Sequence, residues 1–319
     1  MNNFDDLFPA GGEKKETKSE RSFNKEEWAA KKLQERADAF ELLDTATKEA
    51  VENCETFRDY LLVQSRFGRY SVSNALLIAY QNNEATYLAD FETWKEKGVF
   101  VHRGEKAITL LEPGNEFTRE DGTTGFSVNV KRMFDVSQTN SRRGYSRREP
   151  DERRVLKALI ASSPCDIRMT NELEGNVCAR YVPEDDAIYI RQGLDGYDIF
   201  RSLSQEIVIA NFAKDGVSRE DCSFTAYCAS YILCERSGFD TGDYNFEKAP
   251  DRFKEAEPKT IRGQLDKIRD SANEVSQDMR RVMEEQQKAK PTEDINETPI
   301  EAVEDPIKKE KRKADREGR

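Results

Sequence analysis

Histidine is almost missing from this chain: His102 is the single one in 319 residues. Tryptophan occurs twice, and no apolar run approaches the roughly 20 residues that a membrane-crossing helix needs. So few imidazoles argue against zinc-hydrolase chemistry, which relies on neutral histidine ligands one helical turn apart. The six cysteines (Cys54, Cys165, Cys178, Cys222, Cys228, Cys234) include no C-x-x-C pair. Cys222, Cys228 and Cys234 recur every six residues, which spreads them around a helix rather than converging them on one ion. They read as free buried thiols of a reducing compartment. The start, Met1-Asn2-Asn3-Phe4-Asp5-Asp6, carries acids where a secretory signal carries cations before an apolar core. A cytoplasmic location, with no membrane contact, is the expectation.

What is abundant is charge. Hydrophobic residues make up 36% and charged residues 35%, with a net charge of −11. That balance disfavours indiscriminate adhesion to nucleic acid. It is uneven, however: from Val51 to Arg148 there are 14 Lys+Arg against 13 Asp+Glu, so a local basic surface has room there.

The patterning predicts an α+β protein in several parts. Residues 1–21 lack periodicity and read as a disordered arm. In 22–140, Asn24 caps a first helix carrying Trp28, Leu33, Ala37, Phe40, Leu42 and Leu43. A second helix covers 45–67 and Gly68 breaks it; a third covers 75–81. A small β-sheet follows: a short run at 99–101, a strand at 107–111 closed by Pro113-Gly114, and a long alternating strand at 126–136. The arginine-rich stretch 141–150 reads as a linker. The unit 151–284 is mostly helical, with a hairpin of 176–179 and 187–190 around Pro183-Glu184-Asp185-Asp186, then helices at 199–212 and 222–236. Ile261, Leu265, Ile268, Ala272, Val275, Met279 and Val282 form a heptad seam that either dimerises the chain or packs on its own domain. A disordered charged tail is expected over 285–319, ending in the basic run Lys308-Lys309-Glu310-Lys311-Arg312-Lys313.

One motif is informative by what it lacks. Ser204-Gln205-Glu206-Ile207-Val208-Ile209-Ala210 has the shape of a zinc-peptidase helix, with Glu206 at the position of the general base. Gln205 and Ile209 stand where the histidines belong, and neither side chain substitutes for imidazole. No metal, cofactor or catalytic residue is expected.

Five blocks, in order and spacing, resemble the N-terminal single-stranded-DNA-binding domain of ArdC/LtrC-like antirestriction-type proteins. They are Phe67-Gly68-Arg69-Tyr70-Ser71-Val72-Ser73-Asn74-Ala75-Leu76-Leu77-Ile78 with Gln81; Ala85-Thr86; Phe91-Glu92-Thr93-Trp94; Arg103-Gly104-Glu105-Lys106-Ala107-Ile108; and Phe134-Asp135-Val136-Ser137-Gln138-Thr139. That class commonly adds a zinc-peptidase-like domain, which 150–283 resembles, including the later helix Phe224 to Cys234. The family's third ligand is an acid on that helix, and 223–233 contain none. The resemblance implies the peptidase fold without its activity.

Single-stranded nucleic acid is held by cations along its backbone and by rings on which bases stack. The candidate contacts are Arg66, Arg69, Tyr70, Ser71, Asn74, Gln81, Trp94, Arg103, Lys106, Lys131 and Arg132, with Phe67, Tyr87 and Phe100 as further rings and the arginine pairs at 142–143 and 147–148 nearby. Each has a second reading. Trp94 suits a core, Tyr70 a helix staple and Ser71 a helix cap. Asn74 and Gln81, seven apart, suit base edges or a solvent face. Arg103 and Lys106 flank a turn that either meets phosphate or is solvated. The expected function is single-stranded-DNA binding by a mobile-element protein with an inactive peptidase-like domain. The alternatives are an adaptor that binds a protein through 151–284, and a hydrolase with an unconventional site.

Overall fold

A computed structural model describes residues 24–118, 122–141 and 151–289. The expected arm at 1–21, the arginine pairs between 142 and 148 and the basic run at 308–313 lie outside these residues.

Helix α1 (Lys25–Ala50) starts at Asn24, whose side chain accepts from the Glu26 and Glu27 N–H groups. It runs unbroken past Leu43, where a new helix was expected, because nothing between Asp44 and Ala50 is a glycine or proline. The break falls at Asn53, which opens α2 (Cys54–Arg66) with a reciprocal capping box to Thr56. The buried stripe of α1 is Ala39, Leu43, Ala46 and Ala50, whereas Trp28, Leu33 and Phe40 are exposed. Helix α3 (Val72–Asn82) follows, capped by Ser71.

Strand β1 (Leu88–Ala89), helix α4 (Phe91–Glu96) and strands β2 (Ile108–Thr118) and β3 (Thr124–Asp135) complete the first region. The antiparallel order is β1-β3-β2, which leaves β2 at an edge. Pro113-Gly114 does not end β2 as expected; the ladder shifts register between Pro113 and Glu116 and continues. Edge strands and bulges are where a sheet tolerates a residue without an N–H. The expected run at 99–101 makes only an isolated bridge, Val101 to Thr139.

The second region holds α5 (Glu152–Ala161), β4 (Asp166–Thr170), β5 (Ala179–Val182), β6 (Ala187–Arg191), α6 (Gly196–Lys214), α7 (Arg219–Ser237), α8 (Ala249–Phe253) and α9 (Pro258–Ala289). Its sheet has the order β4-β6-β5, with β4 parallel to β6. The sequence reading missed β4, a five-residue strand that is mostly exposed although Ile167 and Met169 alternate with polar neighbours. It also placed the first hairpin arm three residues early. Gly238, at φ 87°, takes the left-handed position that ends α7.

The heptad seam of α9 faces inward: Ile261, Leu265, Ile268, Ala272, Val275 and Met279 are all buried. That helix continues to Ala289, five residues into the stretch expected to be tail. One hydrophobic core serves both regions. Phe57 of α2 sits among Phe224, Phe246 and Phe253, with ring centroids 6.0, 5.5 and 5.8 Å away. Among the described residues no helix is long and apolar enough to cross a membrane.

Candidate nucleic-acid interface and peptidase-like site

Several residues expected to meet nucleic acid are built into the scaffold instead. The Asn74 amide donates to the Leu111 carbonyl and accepts from the Leu111 N–H, both at 2.9 Å. Gln81 does the same with Thr109, at 3.0 and 2.8 Å. Backbone groups on the outer edge of β2 need partners, and these two amides supply them from α3. Neither side chain is a solvent face or a free base-reading group. Trp94 is 3% exposed, and its indole N–H donates to the Phe134 carbonyl at 3.0 Å. It is a core residue, not a stacking platform. Arg66 ties α2 to the chain after α3, donating to the carbonyls of Ala85 and Asn83.

Ser71 caps α3 through the Asn74 N–H at 3.3 Å. Tyr70 is half-buried against Phe67, ring centroids 5.6 Å apart, and burial pushes its hydroxyl pKa up. Lys131 and Arg132, adjacent on β3, point to opposite faces. Lys131 pairs with Glu112 at 2.9 Å and Asp90 at 3.4 Å, and the Glu112 hydrogen bond raises its pKa. Arg132 reaches Glu35 of α1 at 3.6 Å and the Thr109 hydroxyl at 2.7 Å.

Arg69, Arg103 and Lys106 are exposed, as are the rings of Tyr87 and Phe100. These cations fall in two places. Arg66, Arg69, Tyr70 and Tyr87 line a cleft of about 930 Å³ between the α2–α3 junction and helices α7 and α9. Gln81, Lys106 and Arg132 line a second cleft, of about 950 Å³, beside the turn at Gly104. The single surface expected from the sequence is thus divided.

Sequence reasoning missed the residue that joins two of the five motif blocks, Ala85-Thr86 and Phe134 to Thr139. Asp135 is 1% exposed and accepts from the backbone N–H groups of Thr86, Tyr87 and Ser137 at 2.8, 2.9 and 2.8 Å. Burial pushes its pKa up, but these donors outweigh burial and hold the carboxyl below its ordinary range. Gln138 extends the network to the Lys106 carbonyl at 2.8 Å. An acid one residue after a strand's last aromatic, with a glutamine three further on, is a capping-box signal that could have located it.

On α6, Glu206 is 5% exposed and bound on both oxygens by Arg219, at 3.0 and 2.5 Å. It also accepts from the Tyr181 N–H at 2.7 Å, and Arg219 donates to the Tyr181 carbonyl at 3.3 Å. The hydrogen bond to Glu206 raises the Arg219 pKa. Ile209 is buried in the core. On the facing helix α7, the Ser230 hydroxyl lies 2.9 Å from Ser204 and 2.8 Å from Tyr244. A divalent ion does not fit this donor set: an amide, an alkyl chain and a carboxylate already neutralised by a guanidinium offer no coordination sphere.

The fold is a mixed helix–sheet assembly in which a small edge-clamped sheet is followed by a mainly helical region. Residues 41–158 match the family model of the N-terminal domain of anti-restriction factor ArdC. Among solved structures, the antirestriction ArdC protein from the R388 plasmid is similar in its metal-free form, at 18% identity and TM-score 0.48 over 66% of this chain and 86% of that one. Its Mn(II)-bound form gives 19% identity and TM-score 0.46 over 66% and 85%. No curated protein matches the chain.

Proposed function

We propose that the protein binds single-stranded DNA as an antirestriction-type protein of a mobile element, and that its peptidase-like region is not a hydrolase. The observation that carries the reading is the ArdC N-terminal domain at 41–158. The exposed cations Arg69, Arg103 and Lys106 and the exposed aromatic residues Tyr87 and Phe100 support it. Guanidinium and ammonium groups neutralise phosphates, and each stacked base contributes roughly 1–3 kcal/mol.

The inactive peptidase reading is supported by Gln205 and Ile209 at the ligand positions and by the commitment of Glu206 to Arg219. A general base needs a free lone pair near water, and both oxygens of this carboxylate are in use. The same pair also occupies the backbone of Tyr181 on β5, where an extended peptide could otherwise add as a strand.

Fluorescence anisotropy with a labelled oligonucleotide, titrated with salt and compared with duplex, tests the binding. Tighter binding of the single strand, weakening as salt rises, is expected; indifference to salt would sink the reading. Metal analysis of the purified protein tests the second part, and stoichiometric tightly bound zinc would overturn it.

A further inference from the structure

The chain carries 62 acidic residues against 51 basic ones, yet among the described residues no carboxylate lines the cleft between the α2–α3 junction and helices α7 and α9. Its five charged side chains are all arginines: Arg66, Arg69, Arg236, Arg269 and Arg280. The second cleft differs, since Glu105 lines it and its Arg132 is paired with Glu35.

Arg236 explains how the walls are held. From the end of α7 its guanidinium donates to the Ser65 carbonyl at 3.1 Å and the Gln64 carbonyl at 3.4 Å on one wall. On the other it reaches the Ala272 carbonyl at 3.4 Å and the Ser276 hydroxyl at 3.0 Å. All four acceptors are neutral. A guanidinium withdrawn from water without a counter-ion is costly, and burial together with nearby Arg280 lowers its pKa to about 10. Gly68 leaves the space it occupies: a Cβ there would stand 2.5 Å from Nη2 of Arg236. Asn273 closes the same seam, donating to the Gly68 carbonyl at 3.1 Å.

With Arg236 engaged, Arg66 tied to backbone carbonyls and Arg269 paired with Asp266 and Asp270, two cations face the cleft free. Arg69 on one wall and Arg280 on the other are exposed and have no ion-pair partner among the described residues. Tyr70 and Tyr87 stand on the Arg69 side; Tyr87 is 48% exposed, with the Lys97 ammonium over its ring at 4.7 Å as a further cation. Unpaired cations on two walls, an uncompensated charge between them and rings alongside match a flexible polyanion with accessible bases.

We propose that single-stranded DNA lies in this cleft, with Arg69 and Arg280 on its phosphates, Tyr87 under a base and Arg236 as a positioning residue. The peptidase-like region then forms half of the nucleic-acid site. This rests on the binding function proposed above and assigns it a place.

Arg280 and Arg281 are neighbours on α9, but Arg281 does not line the cleft and pairs with Asp278 at 2.7 Å. Arg280→Gln and Arg281→Gln therefore remove the same charge from the same helix. In the full-length protein, Arg280→Gln should weaken binding of an oligothymidylate at low salt about five- to tenfold and reduce the salt slope by about 0.7, the share of one phosphate contact on a single strand. Arg281→Gln should change neither, and both should melt like the parent. If the two variants bind alike while Arg69→Gln weakens binding, the first region alone holds the strand and the proposal is overturned. If the parent protein ignores oligothymidylate altogether, the binding function itself fails, and this assignment with it.

Discussion

Asn74 and Gln81 stand two turns apart on α3 and grip Leu111 and Thr109, two residues apart on β2, each through a two-way amide pairing. A helix thereby plays the part of a neighbouring strand, satisfying both N–H and C=O groups of an edge that would otherwise lack partners. Asn74→Ala or Gln81→Ala leaves two backbone groups without their amide and should cost about 1–3 kcal/mol. Urea denaturation would measure that loss. The salt slope of DNA binding should stay at the parent value; a variant that keeps full stability but loses binding would return these residues to the interface.

Glu206 and Arg219 give a second stability test. Arg219→Met strands a buried carboxylate and should destabilise by about 3–5 kcal/mol, whereas adding Glu206→Gln should recover part of the loss. Equal stability of the single and double variants would show that the pair is not coupled.

Trp94 and Tyr87 touch each other, ring centroids 5.4 Å apart, yet should separate by phenotype. Trp94→Ala empties a core position and should cost about 3–5 kcal/mol of stability. Tyr87→Ala removes a half-exposed ring and should instead weaken oligonucleotide binding by about 1–3 kcal/mol. Thermal melts beside anisotropy would decide, and the reverse pattern would contradict the placement of both rings.

Asp135 predicts part of the acid sensitivity. Burial opposes its charge, but the N–H groups of Ser137, Tyr87 and Thr86 prevail, so its folded pKa lies below the ordinary value. A lowered carboxylate pKa contributes stability that is present above the unfolded value of about 3.9 and lost as pH falls through the folded one. Asp135→Asn should therefore be less stable than the parent at pH 7, with the gap narrowing below about pH 4. A gap that stays constant from neutral to acid pH would rule this out.

The elements most legible in the sequence were those with strong periodicity and end signals. Ser71 before α3 and Gly238 after α7 act as punctuation, and the inward stripe of α9 kept its three-four spacing. Strand β4 was hard to read because it is only five residues long, mostly exposed, and offers just Ile167 and Met169 as an apolar alternation. Among the candidate contacts, residue type misled where an amide or indole had a partner far along the chain: Asn74 with Leu111, Gln81 with Thr109 and Trp94 with Phe134. Asp135 makes a partnership of the same kind between two motif blocks, through the N–H groups of Thr86 and Ser137.

By itself the sequence determined the mixed helix–sheet class, the resemblance to ArdC-type proteins and the lack of histidine between Ser204 and Ala210, since these depend on residue identity and short-range spacing. Only the tertiary structure decided which cations are spent on the scaffold and which remain open. It alone brought Arg69 and Arg280 to one cleft that no carboxylate lines among the described residues. The physical reason is that free charge is a property of neighbours, and the neighbours that matter here lie up to two hundred residues away along the chain.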